Sequence, residues 1–200
     1  MRAMNDFAAI ILAAGASTRL GQPKQLLEYQ GKMLLQHAIE VVSPVVGQRL
    51  LVVLGAHAAK ILDVFQNYPF PYVINETWSD GMSTSLRLGL SALLKEDAID
   101  GIFLLVSDQP FVDTDVITQL KNKHLSTNKK LIASAYSDTL GVPAFIHRDY
   151  FEELLSQQKD MGAKKLFFKY PEDVDTISFP KGAFDVDTAE DVFRLKNVDS

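Results

Sequence analysis

Three short apolar runs, at residues 7–12, 49–55 and 101–107, constrain this chain more than any other feature; each is rich in Ile, Val and Leu. A strand that is apolar on both faces must be buried on both, the situation in a parallel sheet covered by helices. Weaker strand candidates lie at 71–74, 130–135, 144–147 and 176–179. Helical spacing of apolar residues predicts helices over 33–42, 58–65, 82–94, 115–125, 150–157, 163–170 and 189–196. The alternation predicts an α/β fold: a single three-layer α/β/α Rossmann-like domain over residues 1–200, with a mainly parallel sheet. No repeat or linker divides it. In such a sheet ligands bind beyond the carboxyl ends of the strands, where the strand order reverses. The segments that follow strands therefore take the functional reading first.

Composition narrows the classes. Hydrophobic residues make up 47% and charged residues 22%, which argues against disorder. A formal charge of −5 argues against a protein that holds nucleic acid through a basic surface. Cys is absent, so disulfides, thiolate metal sites and a Cys nucleophile are excluded; a reducing cytoplasm suits such a chain. The apolar run near the start is too short, and its flank too poor in basic residues, for a signal peptide; a buried first strand explains it. No run is long enough to span a membrane.

The first strand runs directly into Leu-Ala-Ala-Gly-Ala-Ser-Thr-Arg-Leu-Gly-Gln-Pro-Lys over residues 12–24. Gly15 and Gly21 permit close backbone approach or positive φ, and successive N–H groups in such a turn form an anion-binding concavity. Arg19 offers a fork of donors and Lys24 a mobile charge, a natural pair for a triphosphate. Next to Leu12, the small residues Ala13, Ala14 and Ala16 leave room for a base or ribose. A Walker loop and a dinucleotide fingerprint are both missing. The alternative is an ordinary strand-to-helix turn with exposed cations.

After the run at 101–107 the chain reaches Asp108, followed by Gln-Pro. A carboxylate at a strand's carboxyl end can hold magnesium, which needs only one or two carboxylates besides phosphate oxygens and water. Asp108 or Asp113 could instead cap the next helix, and Asp113 is the better cap. His37, His57, His124 and His147 show no spacing for zinc and read as structural or surface. Ser107 lacks the glycines of a nucleophile elbow.

The loop at 12–24, continued by Gln-Leu-Leu, resembles the signature of the MobA/MocA-type nucleotidyltransferases, closest to the branch represented by molybdenum cofactor cytidylyltransferase. The resemblance extends in order from Ile10 to Asp191 and implies the nucleotide-diphospho-sugar transferase-like form of the fold. It implies that Arg19, Lys24 and Asp108 are catalytic and that Asp108 binds magnesium. Phe-Asp-Val-Asp-Thr-Ala-Glu-Asp at 184–191 is similar to a family segment in which Asp187 reaches the same metal, with Asp185 the lesser candidate; Ala189 stands where the family has Pro. Thr188 or Asp187 could equally cap the last helix. The stretch 75–90 resembles one that closes over the nucleotide, with Gly81 before a helix and Ser83 and Ser85 as polar contacts, or simply as helix caps. Ala13 and Ala14, by resemblance, point to CTP over GTP. Gly141, Pro143 and Lys164 fall in segments that face the acceptor in the family; Lys164 replaces an Arg and so lacks its bidentate fork, the alternative being a solvated helix residue.

The resemblance thus implies magnesium-dependent transfer of a cytidylyl group from CTP to the phosphate of molybdopterin, with release of pyrophosphate, in the cytoplasm. Alternative acceptors are sugar or alcohol phosphates, and a different class is a non-catalytic nucleotide-binding, cofactor-handling module. Neither nucleic acid nor membrane is an expected partner; a transient contact with a molybdoenzyme or its maturation factor is.

Overall fold

The computed structural model describes residues 6–96, 98–156 and 162–197. In chain order the strands are β1 (Phe7–Ala13), β2 (Glu28–Tyr29), β3 (Lys32–Met33), β4 (Leu50–Leu54), β5 (Tyr72–Ile74), β6 (Gly101–Val106), β7 (Leu131–Tyr136), β8 (Thr139–His147) and β9 (Val174–Ser178). The helices are α1 (Leu34–Val46), α2 (Ala58–Val64), α3 (Met82–Glu96), α4 (Thr114–Thr127), α5 (Phe151–Ser156), α6 (Lys164–Lys169) and α7 (Ala189–Asn197). Seven strands form one sheet in the order β5-β4-β1-β6-β8-β7-β9, while β2 and β3 form a small hairpin. Strands β5, β4, β1 and β6 pair in parallel, β8 is antiparallel to both neighbours, and β9 is parallel to β7. Within this sheet β8 alone therefore runs against the rest. The mainly parallel α/β architecture expected from the apolar runs is the one observed.

Strand β1 shows why those runs are apolar throughout. Phe7, Ala9, Ile11 and Ala13 pack with residues of α1, α2 and α4 on one face. Ala8, Ile10 and Leu12 pack with residues of α3, α5 and α6 on the other. Successive side chains on a strand point to opposite faces, so two covered faces require an unbroken apolar run. No helix among the described residues is long and apolar enough to cross a membrane.

The topology places the site. From β1 the chain steps outward through β4 to β5, then α3 carries it back across to β6 on the other side of β1. The order reverses between β1 and β6, and the crevice above their carboxyl ends is where such sheets bind ligands. The loop after β1 and the turn after β6 both open there. A third cluster, Leu27, Leu34, Val186 and Leu195, docks α7 and the segment before it beside the β1 loop.

Most element ends fall within two residues of the sequence pattern, and two differ by more. Helix α1 runs past residue 42 to Val46 with Pro44 inside it. Strand β8 begins at Thr139 rather than at 144 because the β7–β8 register shifts between Ala133 and Ser134, leaving Val142 and Pro143 outside the paired positions. Pro has no N–H to give a ladder, so the irregularity is where it is tolerated. The hairpin β2–β3 was not read from the sequence; its turn places Gln30 and Gly31 at φ 50° and 76°. The expected helix end at residue 157 lies outside the described residues.

Close packing at the sheet centre gives a direct check. A side-chain Cβ at Gly101 would lie 2.4 Å from the Phe145 ring and 3.1 Å from the Ile146 carbonyl oxygen. Gly101→Ala is expected to lower stability by about 1–3 kcal/mol, the usual cost of overpacking. The readout is a lower urea midpoint at constant slope; an unchanged midpoint would mean that the Phe145 ring can shift without loss.

Candidate functional site

The loop after β1 turns its carbonyls toward the protein. The Gln25 side-chain amide donates to the carbonyls of Ala13 at 2.7 Å and Gly15 at 3.4 Å. The Ala56 N–H donates to Ala14 at 3.1 Å, His57 Nε2 lies 2.8 Å from the Ala16 carbonyl oxygen, and the N–H groups of Leu20 and Gly21 reach that of Ser17. Gly55 lets this backing come close, since a Cβ there would meet the Ala14 carbonyl oxygen at 2.6 Å. With the carbonyls tied inward, the N–H groups of residues 15–19 donate to no acceptor among the described residues. These free donors lie in the turn whose glycines and small residues make it the candidate for holding an anion. Gly21 closes the turn at φ 73°, and the Ser17 hydroxyl accepts from the Lys24 N–H at 3.2 Å.

Lys24 then projects into a charged junction. Its ammonium contacts Asp108 Oδ2 and lies 3.0 Å from Asp187 Oδ1; Arg19 donates to Asp187 Oδ2 at 2.7 Å. Burial lowers the Lys24 pKa, but the Asp108 charge and hydrogen bond, with Asp187 adding to them, outweigh it, and the net shift is upward. Lys24 is therefore a cation throughout the physiological range. The helix caps leave both carboxylates available. Asp113 caps α4 by accepting from the Val116 N–H at 2.9 Å. Thr188 and Asp191 exchange hydrogen bonds at the start of α7, the Thr188 N–H donating to Asp191 at 2.8 Å and the Asp191 N–H to the Thr188 hydroxyl at 3.2 Å. Asp108 and Asp187 are spared capping, which resolves the alternatives left open by the sequence.

The donor set fits a hard divalent cation. Two carboxylates already share one cation, and Asp108 Oδ1 is buried without a partner. No group of three metal-ligating side chains occurs among the described residues; two carboxylates with room for water and phosphate oxygens are the pattern magnesium takes. Nearby, Asp185 is exposed as a residue, yet its carboxyl is pushed up to about 6, by burial first and then by the Asp108 charge.

A cavity of about 170 Å³ adjoins this junction. Leu12, Ala13, Ala14 and Gly15 line one side and Ser85, Trp78 and Met82 another, so β1 and the start of α3 face each other across it. Gly81 adopts φ 110°, a value L side chains rarely take, where the chain turns into α3. Ser85 Oγ accepts from the buried Asn75 side-chain amide at 2.9 Å, which leaves its own proton for a ligand. Ser83 is buried with an unpartnered hydroxyl and does not line the cavity. Larger cavities exist, of about 380 Å³ at the amino ends of the strands and about 410 Å³ beside Phe168 and the β7–β8 turn. Chemistry rather than size selects the smaller one, because the cations and carboxylates converge there.

The acceptor-side residues are more dispersed. Gly141 is the neighbour of Tyr136, whose hydroxyl occupies the place a Cβ would take, 2.0 Å away. Pro143 is buried, and its carbonyl accepts from the Ser134 hydroxyl at 2.6 Å. Lys164 is exposed at the start of α6; residues 160 and 161 of its segment lie outside the described residues. Gln25, Asn75 and Trp78 were not singled out by the sequence. Gln25 follows Lys24 directly, and the only signal available was that adjacency.

Free amides, two cations and two carboxylates at the switch point of a mainly parallel sheet define an α/β domain suited to a phosphate chain. The chain belongs to the MobA-like NTP transferase domain family, whose model matches residues 9–174. It is 30% identical over 198 residues to nicotine blue oxidoreductase of Paenarthrobacter nicotinovorans, covering 93% of this chain and 94% of that protein. It is 31% identical over 144 residues to bifunctional protein GlmU of Mycobacterium sp. strain KMS, covering 68% of this chain and 29% of that protein. The crystal structure of Rv0371c from Mycobacterium tuberculosis H37Rv matches with a TM-score of 0.80 at 28% identity, over 96% of this chain and 97% of that one. A manganese complex of Rv0371c matches at 0.76 and 25% identity, over 97% and 100%. These names span two reaction classes, so likeness establishes the family and the site must argue the reaction.

Gln25→Leu keeps the volume but removes the donor that turns two loop carbonyls inward. It is expected to cost about 1–3 kcal/mol of stability and to weaken binding of inorganic pyrophosphate by about tenfold, the equivalent of one good hydrogen bond. Titration calorimetry on the folded variant checks the second effect; unchanged affinity would show that the loop holds its shape without Gln25.

Proposed function

We propose that this protein is a magnesium-dependent nucleotidyltransferase that moves a cytidylyl group from CTP to the phosphate of molybdopterin and releases pyrophosphate. The observation that carries the reading is the meeting of Lys24 with Asp108 and Asp187 beneath the free amides of residues 15–19. In this reading the whole of residues 1–200 acts as one cytoplasmic domain.

An oxygen of the acceptor phosphate attacks the α-phosphorus of CTP in line; the new P–O bond forms as the bond to the pyrophosphate oxygen breaks, and no covalent enzyme intermediate is needed. Such transfers ask a protein mainly for positioning and charge neutralisation. The amides of residues 15–19 receive the β- and γ-phosphate oxygens, and Arg19 and Lys24 neutralise the pyrophosphate as it leaves. Magnesium, held by Asp108 and Asp187, would supply further positive charge to the phosphate oxygens. Ala13 and Ala14 give the base room, Ser85 donates to it, and Trp78 offers a face at the cavity's lip. Gly81 shapes that wall, and Ser83 supports it from within. Gly141, Pro143 and Lys164 remain the acceptor-side candidates, Lys164 as a point charge for a phosphate. The manganese complex of Rv0371c supports a divalent cation in a relative's structure. A molybdoenzyme or its maturation factor is the proposed recipient of the product.

A second reading, a redox catalyst, is favoured by the likeness to nicotine blue oxidoreductase. The first loop argues against it, because the Gly-x-Gly-x-x-Gly of dinucleotide binding is missing. Pyrophosphate release measured with CTP, GTP or ATP, with and without molybdopterin, separates the readings. Release that needs both CTP and molybdopterin is expected. Release with another acceptor would reassign the substrate, and oxidation of NADH or NADPH without any pyrophosphate would replace the transferase reading.

Lys24→Ala is expected to lower turnover by about 10²–10³, the scale of losing one preorganised charge; full activity would remove Lys24 from the chemistry. Asp108→Asn is expected to abolish magnesium-dependent turnover in a folded protein. A normal magnesium titration in that variant would end the metal assignment.

A further inference from the structure

The charged junction pairs most of its own charges internally. Of the four oxygens of Asp108 and Asp187, three are held by cationic nitrogens: Lys24 contacts one on each residue, and Arg19 contacts the other on Asp187. The fourth, Asp108 Oδ1, is buried without a partner. The Lys24 and Asp108 side chains are only 16% and 13% exposed, whereas Arg19 is 69% exposed. Two positive and two negative charges cancel, and the central pair is largely shielded from water.

Resting on the reading above, we infer that the site takes its metal cation and its triphosphate by an exchange of ion partners in which Lys24 is the resident cation that must leave the carboxylates. A cation arriving alone has to displace the Lys24 ammonium and then tolerate it nearby as a like charge. A triphosphate arriving alone draws Lys24 and Arg19 away and strands two neighbouring carboxylates, and leaving an enclosed charge unpaired is strongly unfavourable. When both arrive, every charge is paired again: Lys24 and Arg19 on phosphate oxygens, Asp108 and Asp187 on the cation. The coupling is reciprocal, as any equilibrium coupling between two ligands must be. It runs mainly through Lys24, because the exposed Arg19 pair is screened by solvent.

Attraction between a cation and a triphosphate makes binding cooperative in any site of this kind. Exchange adds a sign of its own: removing Lys24 strengthens binding of the metal alone, although the same change weakens the triphosphate. The test follows free Mn²⁺ by electron paramagnetic resonance as it is titrated with the full chain in the absence of nucleotide. Lys24→Met is expected to bind Mn²⁺ about tenfold tighter than wild type or better, as removal of an adjacent like charge requires. Arg19→Met should gain only about threefold, in keeping with an exposed pair. Lys32→Met, which removes an equal charge from the Glu40 pair elsewhere on the surface, should change nothing and so controls for net charge. Circular dichroism verifies folding, and Lys24→Gln replaces the Met variant if that one does not fold.

Unchanged or weaker Mn²⁺ binding in the folded Lys24 variant, with wild type still binding Mn²⁺ in the presence of CTP, would overturn the exchange and leave the transferase reading standing. Absence of Mn²⁺ binding to wild type even with CTP would overturn the metal site itself, and the exchange with it. A gain in Lys24→Met matched by Lys32→Met would reduce the effect to net charge and overturn the exchange.

Discussion

The contact of the Lys24 ammonium with Asp108 and Asp187 joins three parts of the chain that lie far apart in sequence. Lys24 comes from the loop after β1, Asp108 from the turn after β6, and Asp187 from the segment leading into α7; the pairs are separated by 84 and 163 residues. Strands β1 and β6 are neighbours, so the first two sites are brought side by side by the sheet. The third is carried in by the small apolar cluster of Leu27, Leu34, Val186 and Leu195, and by the Val186 N–H donating to the Asp108 carbonyl at 3.0 Å. Without that docking Asp187 would be a surface residue on a terminal helix. With it, two carboxylates and a lysine share one enclosed space, and the rest of the site is arranged around them.

The loop after β1 shows a complementary economy. A free N–H facing solvent is ordinary; a row of them facing one way requires that the intervening carbonyls be satisfied on the other side. Gln25, Ala56 and His57 supply those partners from behind. His57, which reads from sequence as structural or surface, is structural in a specific sense: it braces the loop through Ala16. The row of free amides is thus a consequence of how the back of the loop is held, and residues behind it decide its shape.

The relatives set this in proportion. A protein named for oxidoreduction and part of a bifunctional protein are both similar to this chain, and a shared scaffold does not dictate a shared reaction. In this chain the side of the crevice away from the loop is made by Trp78 and by Met82 and Ser85 at the start of α3, while Tyr136 lodges against Gly141 and Gly182. Tyr136 is held with its hydroxyl raised in pKa by burial first and by the nearby Asp185 charge next, so it stays a neutral donor beside an acidic cluster.

Local pattern carried much of this. Strands β1, β4 and β6 were legible because a strand covered on both faces must be apolar throughout, and the helices because their spacing repeats within a few residues. Arg19, Lys24 and Asp108 stood out because their residue types follow strands in segments with few other uses. The hairpin β2–β3 was too short to show a period, and the first half of β8 was hidden by Pro143, which only a register shift on β7 makes tolerable. Whether Asp187 was a cap or a free carboxylate depended on Asp191 taking the cap with Thr188. Gln25 looked like any polar residue after a lysine until the fold buried it completely. The sequence by itself determined the layers, the glycine loop after β1 and the types of charge available, since these follow from neighbours along the chain. Only the tertiary structure decided which charges meet, because an ion pair acts over a few ångströms and these partners lie far apart along the chain until the sheet and α7 close around them.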